Sequence, residues 1–240
     1  METYLSIFIR LVIAHVLADF FLQPRSWVVY KWQNHVRDRH FWMHIGIVGL
    51  LTYLLMMEWD NWQLPLIIMI THALIDSIKL WVGKDNTAAF LIDQMAHLLV
   101  IVALWWWLLP PEKSAELLTL IGLPGNSFWL VLLGYLLNTM PMAVLIRYLT
   151  ARWSDAMESP ETGLRDAGKY IGIVERMLIF TFILFNELRA IGFLLAAKSV
   201  FRFGDLKESQ YRKKTEYILL GTLISFALSI LSGLFLRKLI

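Results

Sequence analysis

Eight stretches of this 240-residue chain are apolar and approach or exceed the roughly 20 helical residues needed to cross a hydrocarbon core of about 30 Å. They run 4–23, 41–57, 62–82, 88–109, 126–149, 170–187, 189–204 and 217–236. Only 17% of the residues are charged, against about 25% in soluble domains, and the mean hydropathy is +0.59. Lipid is therefore the solvent this chain is built for. The expected fold is all-α, a polytopic membrane helical bundle of about eight transmembrane helices, with the second and seventh short enough for one to be re-entrant. The first stretch begins at Tyr4 with no basic region ahead of it and reads as a retained helix. There are no cysteines, which excludes disulfides, thiolate zinc sites and thiol nucleophiles. The net charge of +3 comes without any basic stretch interleaved with aromatics, so no nucleic-acid partner is expected.

Where the cations sit predicts orientation. Between successive spans, 24–40 holds Arg25, Lys31, Arg37 and Arg39, while 58–61 holds Glu58 and Asp60 and no base. Lys79 and Lys84 flank the next connection, and 110–125 has Lys113 alone. Arg147, Arg152, Arg165 and Lys169 follow in 147–169, and 198–216 has Lys198, Arg202, Lys207, Arg212, Lys213 and Lys214. The alternation puts the odd-numbered connections in the cytoplasm and both termini outside. Trp59, Trp62 and Trp105-Trp106-Trp107 then fall at the outer boundary, where aromatic belts form.

The unusual content lies inside the first four spans. The pairs His15/Asp19, His72/Asp76 and Asp93/His97 are each spaced i, i+4 and so share a helical face, and His44, Gln23 and Gln94 add to them. An Asp at the centre of a spanning helix costs about 2.5–3.5 kcal/mol, so three imply on the order of 10 kcal/mol to be compensated. With the orientation above, all seven His and Asp groups lie in the cytoplasmic halves of their helices. One shared depth is what one shared site requires. Neutral imidazole beside carboxylate suits zinc, manganese or iron, with zinc first among them. Seven candidates exceed one mononuclear site, so the expectation is one or two divalent ions, with any surplus residue orienting a ligand or acting as base. The bland alternative is interhelical hydrogen bonding that glues the bundle. His35 and His40 lie among loop cations and read as solvated.

The Pro110-Pro111 to Pro124-Gly125 segment divides the chain into 1–110, a four-helix His/Asp metal-site domain, and 111–240, a C-terminal helical half. In the latter, Arg176, Lys198 and Arg202, with Glu175 and Glu216, fall near the cytoplasmic boundary. They read either as a clamp for an anionic substrate headgroup or as plain positive-inside charge. Asn138, Thr139 and Pro141 suggest a kink in the fifth span whose freed backbone is satisfied locally. Arg10, inside the first span, has no explanation in the sequence.

His15-x-x-Ala18-Asp19-Phe20-x-Leu22-Gln23, His44, His72-x-x-x-Asp76-x-x-Lys79 and Phe90-x-x-Asp93-Gln94-x-x-His97 resemble the bacterial inner-membrane family labelled "domain of unknown function 3307". The resemblance covers about residues 1–110. Gly172-Ile173-Val174-Glu175-Arg176 and Ala196-Ala197-Lys198-Ser199 look like the C-terminal extension of its longer members. The pattern is also similar to YdjM-like proteins described as membrane-bound metal-dependent hydrolases.

The leading expectation is thus a multi-pass protein of the bacterial inner membrane that hydrolyses a lipid or lipid-like substrate reached from the cytoplasmic leaflet. His15, Asp19, His44, His72, Asp76, Asp93 and His97 are the metal-ligand candidates. Asp76, Lys79 and Gln94 are the catalytic candidates, with Asp76 as base because Lys79 one turn later could steady it. Two other readings stay open: a divalent-cation or proton transporter using the same residues, and a non-catalytic, metal-stabilised anchor or sensor. A homo-oligomer is compatible with all three.

Overall fold

The computed structural model describes residues 2–108, 127–154, 167–200 and 212–240, and every regular element among them is helical. They are α1 (Glu2–Val16), continued by a π-helical turn over Leu17–Phe21, α2 (Arg25–Asn34), a 3₁₀ turn (His35–Arg37), α3 (Arg39–Met56), α4 (Gln63–Val82), α5 (Thr87–Leu108), α6 (Ser127–Leu137), α7 (Met140–Ser154), α8 (Ala167–Leu184), α9 (Leu188–Val200) and α10 (Arg212–Leu239). Among these residues five segments are long and apolar enough to cross a membrane: Tyr4–Phe21, Gln63–Val82, Thr87–Leu108, Ser127–Ser154 and Thr215–Leu239.

Five is fewer than the eight expected, for identifiable reasons. The 18 residues of α3 include Arg39, His40 and His44, and the 18 of α8 include Lys169, Glu175 and Arg176. The 13 residues of α9 reach only about 20 Å at about 1.5 Å per residue. The 24–40 connection is also more than a loop, because α2 occupies most of it.

By its contacts the chain divides into two units, 1–133 with residue 240 and 134–239. The 110–111 boundary read from the sequence falls in 109–126, outside the described residues. In the first unit α1 packs on α3, α3 on α4, α4 on α5 and α5 back on α1, closing a four-helix ring. Each helix turns one i, i+4 stripe inward: Phe41, His44, Ile45, Val48, Thr52 and Met56 on α3; Leu64, Ile68, His72, Asp76 and Leu80 on α4; Phe90, Asp93, His97, Ile101 and Trp105 on α5. The opposite stripes, Leu66, Ile70, Leu74, Ile78 and Trp81 on α4 and Ile92, Met95, Leu99 and Trp106 on α5, are exposed. An apolar outside around a polar inside suits a helix ring in lipid. Toward one end of the ring Ile7, Leu11, Val48, Met56, Leu64, Ile68 and Ile101 form an apolar core. Arg10 is buried there, bonded to Ser6 in the preceding turn and lying over the Trp129 ring. Trp105 leaves the expected belt and turns inward, donating to the Tyr4 carbonyl at 2.7 Å, whereas Trp59, Trp62, Trp106 and Trp107 are exposed.

In the second unit α10 packs on α8 and α7, and α8 on α7 and α9. The contact of α6 with α8 needs glycine: a Cβ on Gly134 would come within 2.1 Å of the Phe180 ring, which is wholly buried. The expected break in the fifth span separates α6 from α7 at Asn138-Thr139. Its carbonyls are not satisfied locally alone. Arg176 Nε donates to Asn138 O at 2.8 Å, and its two terminal nitrogens donate to Thr139 O and Ser225 Oγ, each at 3.2 Å. Ser229 Oγ donates to Asn138 Oδ1 at 2.7 Å, so α10 closes the same network.

Candidate metal centre

The interior of the four-helix ring holds the candidate site. Each of its three i, i+4 pairs faces inward. In the first pair, the π-helical turn carries Asp19 and closes with Leu22 N donating to Leu17 O at 2.9 Å. A π turn inside an α-helix is uncommon and recurs at functional sites.

Four imidazoles make one layer. His44 Nε2 and His72 Nε2 lie 3.0 Å apart, and both rings are buried. Asp19 Oδ1 is 3.5 Å from each of those nitrogens and is buried with no hydrogen-bond partner among the described residues. These three atoms form a triangle with edges close to the spacing of donor atoms around a tetrahedral ion, about 3.3 Å for bonds of about 2.0 Å. His15 stands beside it, with Nδ1 3.8 Å from Asp19 Oδ1 and Nε2 3.3 Å from Gln94 Oε1. That second contact puts the His15 proton on Nε2 and leaves Nδ1 as an acceptor. His97 stacks on His15 at 5.1 Å between ring centroids and lies 4.0 Å from the ring of His72.

The carboxylates of Asp76 and Asp93 make the next layer, and each is held by a lysine. Lys31 Nζ donates to Asp76 Oδ2 and Lys79 Nζ to Asp93 Oδ2, both at 2.7 Å. Gln94 Nε2 also donates to Asp93 Oδ2, at 3.2 Å. Lys79 therefore does not steady Asp76, as the one-turn spacing on α4 suggested. That cation is Lys31, a buried residue of α2 whose place among the 24–40 cations reads in the sequence as a topology signal. Its clue was electrostatic, since three buried carboxylates need more than one compensating cation. Gln23, half-buried at the end of the first span, keeps its Nε2 without a partner among the described residues.

Residues 7–121 match the model of a family described as "Protein of unknown function (DUF3307)". This first half of the chain belongs to that family. No curated protein and no solved structure matches the chain. The DUF3307 region thus contains all seven His and Asp donors, with α3, α4 and α5 entire and α1 from Ile7 onward. Three overlapping groups of these have ligand atoms within 4.8 Å of one another: His15, Asp19 and His72; His44, His72 and Asp76; Asp76, Asp93 and His97.

A small pocket opens beside His15, His72 and His97, lined by Leu11, Val48, Ile68 and Ile101 with Thr52 and Thr71. Beyond the imidazole layer, then, the lining is mainly aliphatic, with the two threonines as its polar members.

The remaining sequence candidates lie elsewhere. His35 is exposed; His40 is half-buried, stacked on Tyr30, with its Nδ1 2.6 Å from Asp38, the residue that caps α3. Arg176 is no exposed headgroup clamp: it is 3% exposed and spends its N–H groups on the α6–α7 break. Lys198 pairs with Glu175. Arg202 lies outside the described residues.

Proposed function

We propose that this chain is a membrane-embedded, metal-dependent hydrolase acting on a lipid or lipid-like substrate. The observation that carries the reading is the triangle of Asp19 Oδ1, His44 Nε2 and His72 Nε2, in which a buried carboxylate oxygen without a donor faces two imidazole nitrogens. Hydrogen-bonded glue would have given that oxygen a proton to accept. A divalent cation, zinc first among the candidates, answers it with charge. These three residues would hold the ion, with His15 Nδ1 alongside. Bound there, such an ion supplies Lewis acidity and makes water nucleophilic at neutral pH. Lys79 and Gln94 fix Asp93, Lys31 fixes Asp76, and Gln94 also fixes the His15 tautomer. The side chains beside the imidazoles are mainly aliphatic, with Thr52 and Thr71 among them, and such surroundings favour a substrate with a hydrocarbon part over a continuous polar path for ions.

The wider reading is of a bacterial inner-membrane protein with its N-terminus outside. In it α3, packed between α1 and α4, crosses with the five apolar segments, and α8 and α9 complete a count of about eight. Lys31 and Lys79 then mark the cytoplasmic side of the centre. Cysteine placed at the exposed Gln33 should react with an impermeant thiol reagent only from the cytoplasmic side. Labelling from the periplasm would invert the orientation.

The test of function pairs two assays on protein in liposomes. Cell-envelope lipid extract should be converted to product in a chelator-sensitive way, and Asp19→Asn should abolish the conversion. Metal-dependent ion flux without any lipid product would refute the hydrolase reading.

A further inference from the structure

Asp19, His44 and His72 account for one cation, yet the centre holds a second set of donors that they do not use. We infer that it binds two divalent cations, the second between Asp76, Asp93 and His97, with the Asp76 carboxylate shared by both. The inference rests on the metal reading above and extends it from one ion to two.

His97 is 3% exposed, and its Nδ1 lies 2.9 Å from the Asp93 carbonyl, an acceptor, so the ring proton sits on Nδ1. Nε2 is then a bare lone pair. It is buried with no hydrogen-bond partner among the described residues and faces Asp76 Oδ1 at 3.8 Å. Asp93 Oδ1 is likewise buried and unpartnered, while its Oδ2 takes Lys79 and Gln94. Asp76 repeats the pattern, with Oδ2 on Lys31 and Oδ1 turned inward. Each carboxylate spends one oxygen on a fixed lysine and keeps the other free of it; Asp93 Oδ1 lies 3.9 Å from His97 Nδ1, and Asp76, Asp93 and His97 offer ligand atoms within 4.8 Å of one another.

Acceptors facing acceptors repel unless something positive lies between them. A water can donate to only two of the three at once. A divalent cation satisfies all three, and oxygen-rich donor sets with one imidazole suit zinc or manganese. Asp76 Oδ1 is also 3.9 Å from His72 Nε2, a corner of the first triangle, so this one carboxylate adjoins both donor sets. Paired ions about 3.5–4 Å apart are a recurring device of hydrolytic centres. The charges order the two events. Three carboxylates against Lys31 and Lys79 leave the centre with one net negative charge, so the first ion binds an anionic site and the second a cationic one. The second ion therefore binds more weakly.

The experiment titrates chelator-stripped, detergent-purified protein with manganese(II), following bound metal per chain and the electron paramagnetic resonance spectrum to saturation. Wild type should take up two ions in two steps and end with an exchange-coupled spectrum. His97→Ala and the near-isosteric Asp93→Asn should each stop at one ion with an uncoupled spectrum, while keeping the tighter step. Saturation of wild type at one ion, or two coupled ions retained in Asp93→Asn, would overturn the second site and leave the first intact. No bound manganese at all would remove the metal reading itself, so the two failures are distinguishable.

Discussion

Lys31→Met in the metal-free protein tests whether α2 belongs to the centre or merely lies near it. Lys31 Nζ is 2.7 Å from Asp76 Oδ2, and the two side chains are 7% and 9% exposed. Solvent screening is slight at that burial. Removing one partner of a buried pair leaves the other charge uncompensated, which costs about 3–5 kcal/mol. His44 Nε2 lies 3.9 Å from that oxygen, and a neutral imidazole does not replace an ammonium. The expected loss is therefore about 3 kcal/mol. The assay is reversible unfolding in mixed detergent with chelator present, run for Lys31→Met, Asp76→Leu and the double variant. The double variant should be more stable than the sum of the single losses by at least about 1.5 kcal/mol, because it removes both charges together. The exposed Lys84, changed to Met, serves as control and should stay within about 0.5 kcal/mol of wild type. A Lys31→Met loss as small as that control, or strict additivity in the cycle, would refute the assignment of α2 to the site.

The second unit supplies two further tests. Gly134→Leu should destabilise the chain by about 1–3 kcal/mol or more in the same unfolding assay, since even a Cβ collides with the Phe180 ring, and Phe180→Ala should recover part of the loss. Arg176→Met should cost about 1–3 kcal/mol by stranding the Asn138 carbonyl, whereas Thr139 O keeps the Ala143 N–H at 3.1 Å. Arg176→Lys should recover little of that loss, because one ammonium cannot reach three acceptors held in a fork. Wild-type stability in Arg176→Met would make the buried network incidental.

Much of the centre is legible in the sequence because its residues oppose their surroundings. His15, Asp19, His72, Asp76, Asp93 and His97 are costly in apolar helices, and i, i+4 spacing already assigns each pair to one face. The inward stripes of α3 to α5 follow from the same periodicity. What the sequence conceals is pairing between segments. Lys31 sits among Arg25, Arg37 and Arg39, where a cation reads as a topology signal, and only the packing of α2 carries it to Asp76. Lys79 reads as a partner for Asp76 because spacing reports neighbours on one helix, whereas its carboxylate is on α5. Arg176 misleads for the opposite reason: a cation early in an apolar helix resembles a headgroup contact, and its carbonyl acceptors arise from a break 38 residues away. The π turn at Asp19 leaves no mark that simple periodicity can detect.

The central claim is that the ring of α1, α3, α4 and α5 is a metal centre, and metal content measured per chain tests it most directly. Protein purified without chelator should carry at least one divalent transition metal. Asp19→Asn and His44→Ala should each reduce it, and Lys84→Met should leave it unchanged. Chelation of wild type should lower its unfolding temperature, because the ion binds the folded state. Metal-free wild type that unfolds at the same temperature with and without added zinc or manganese would contradict the account and leave hydrogen bonding as the whole role of the buried histidines and aspartates.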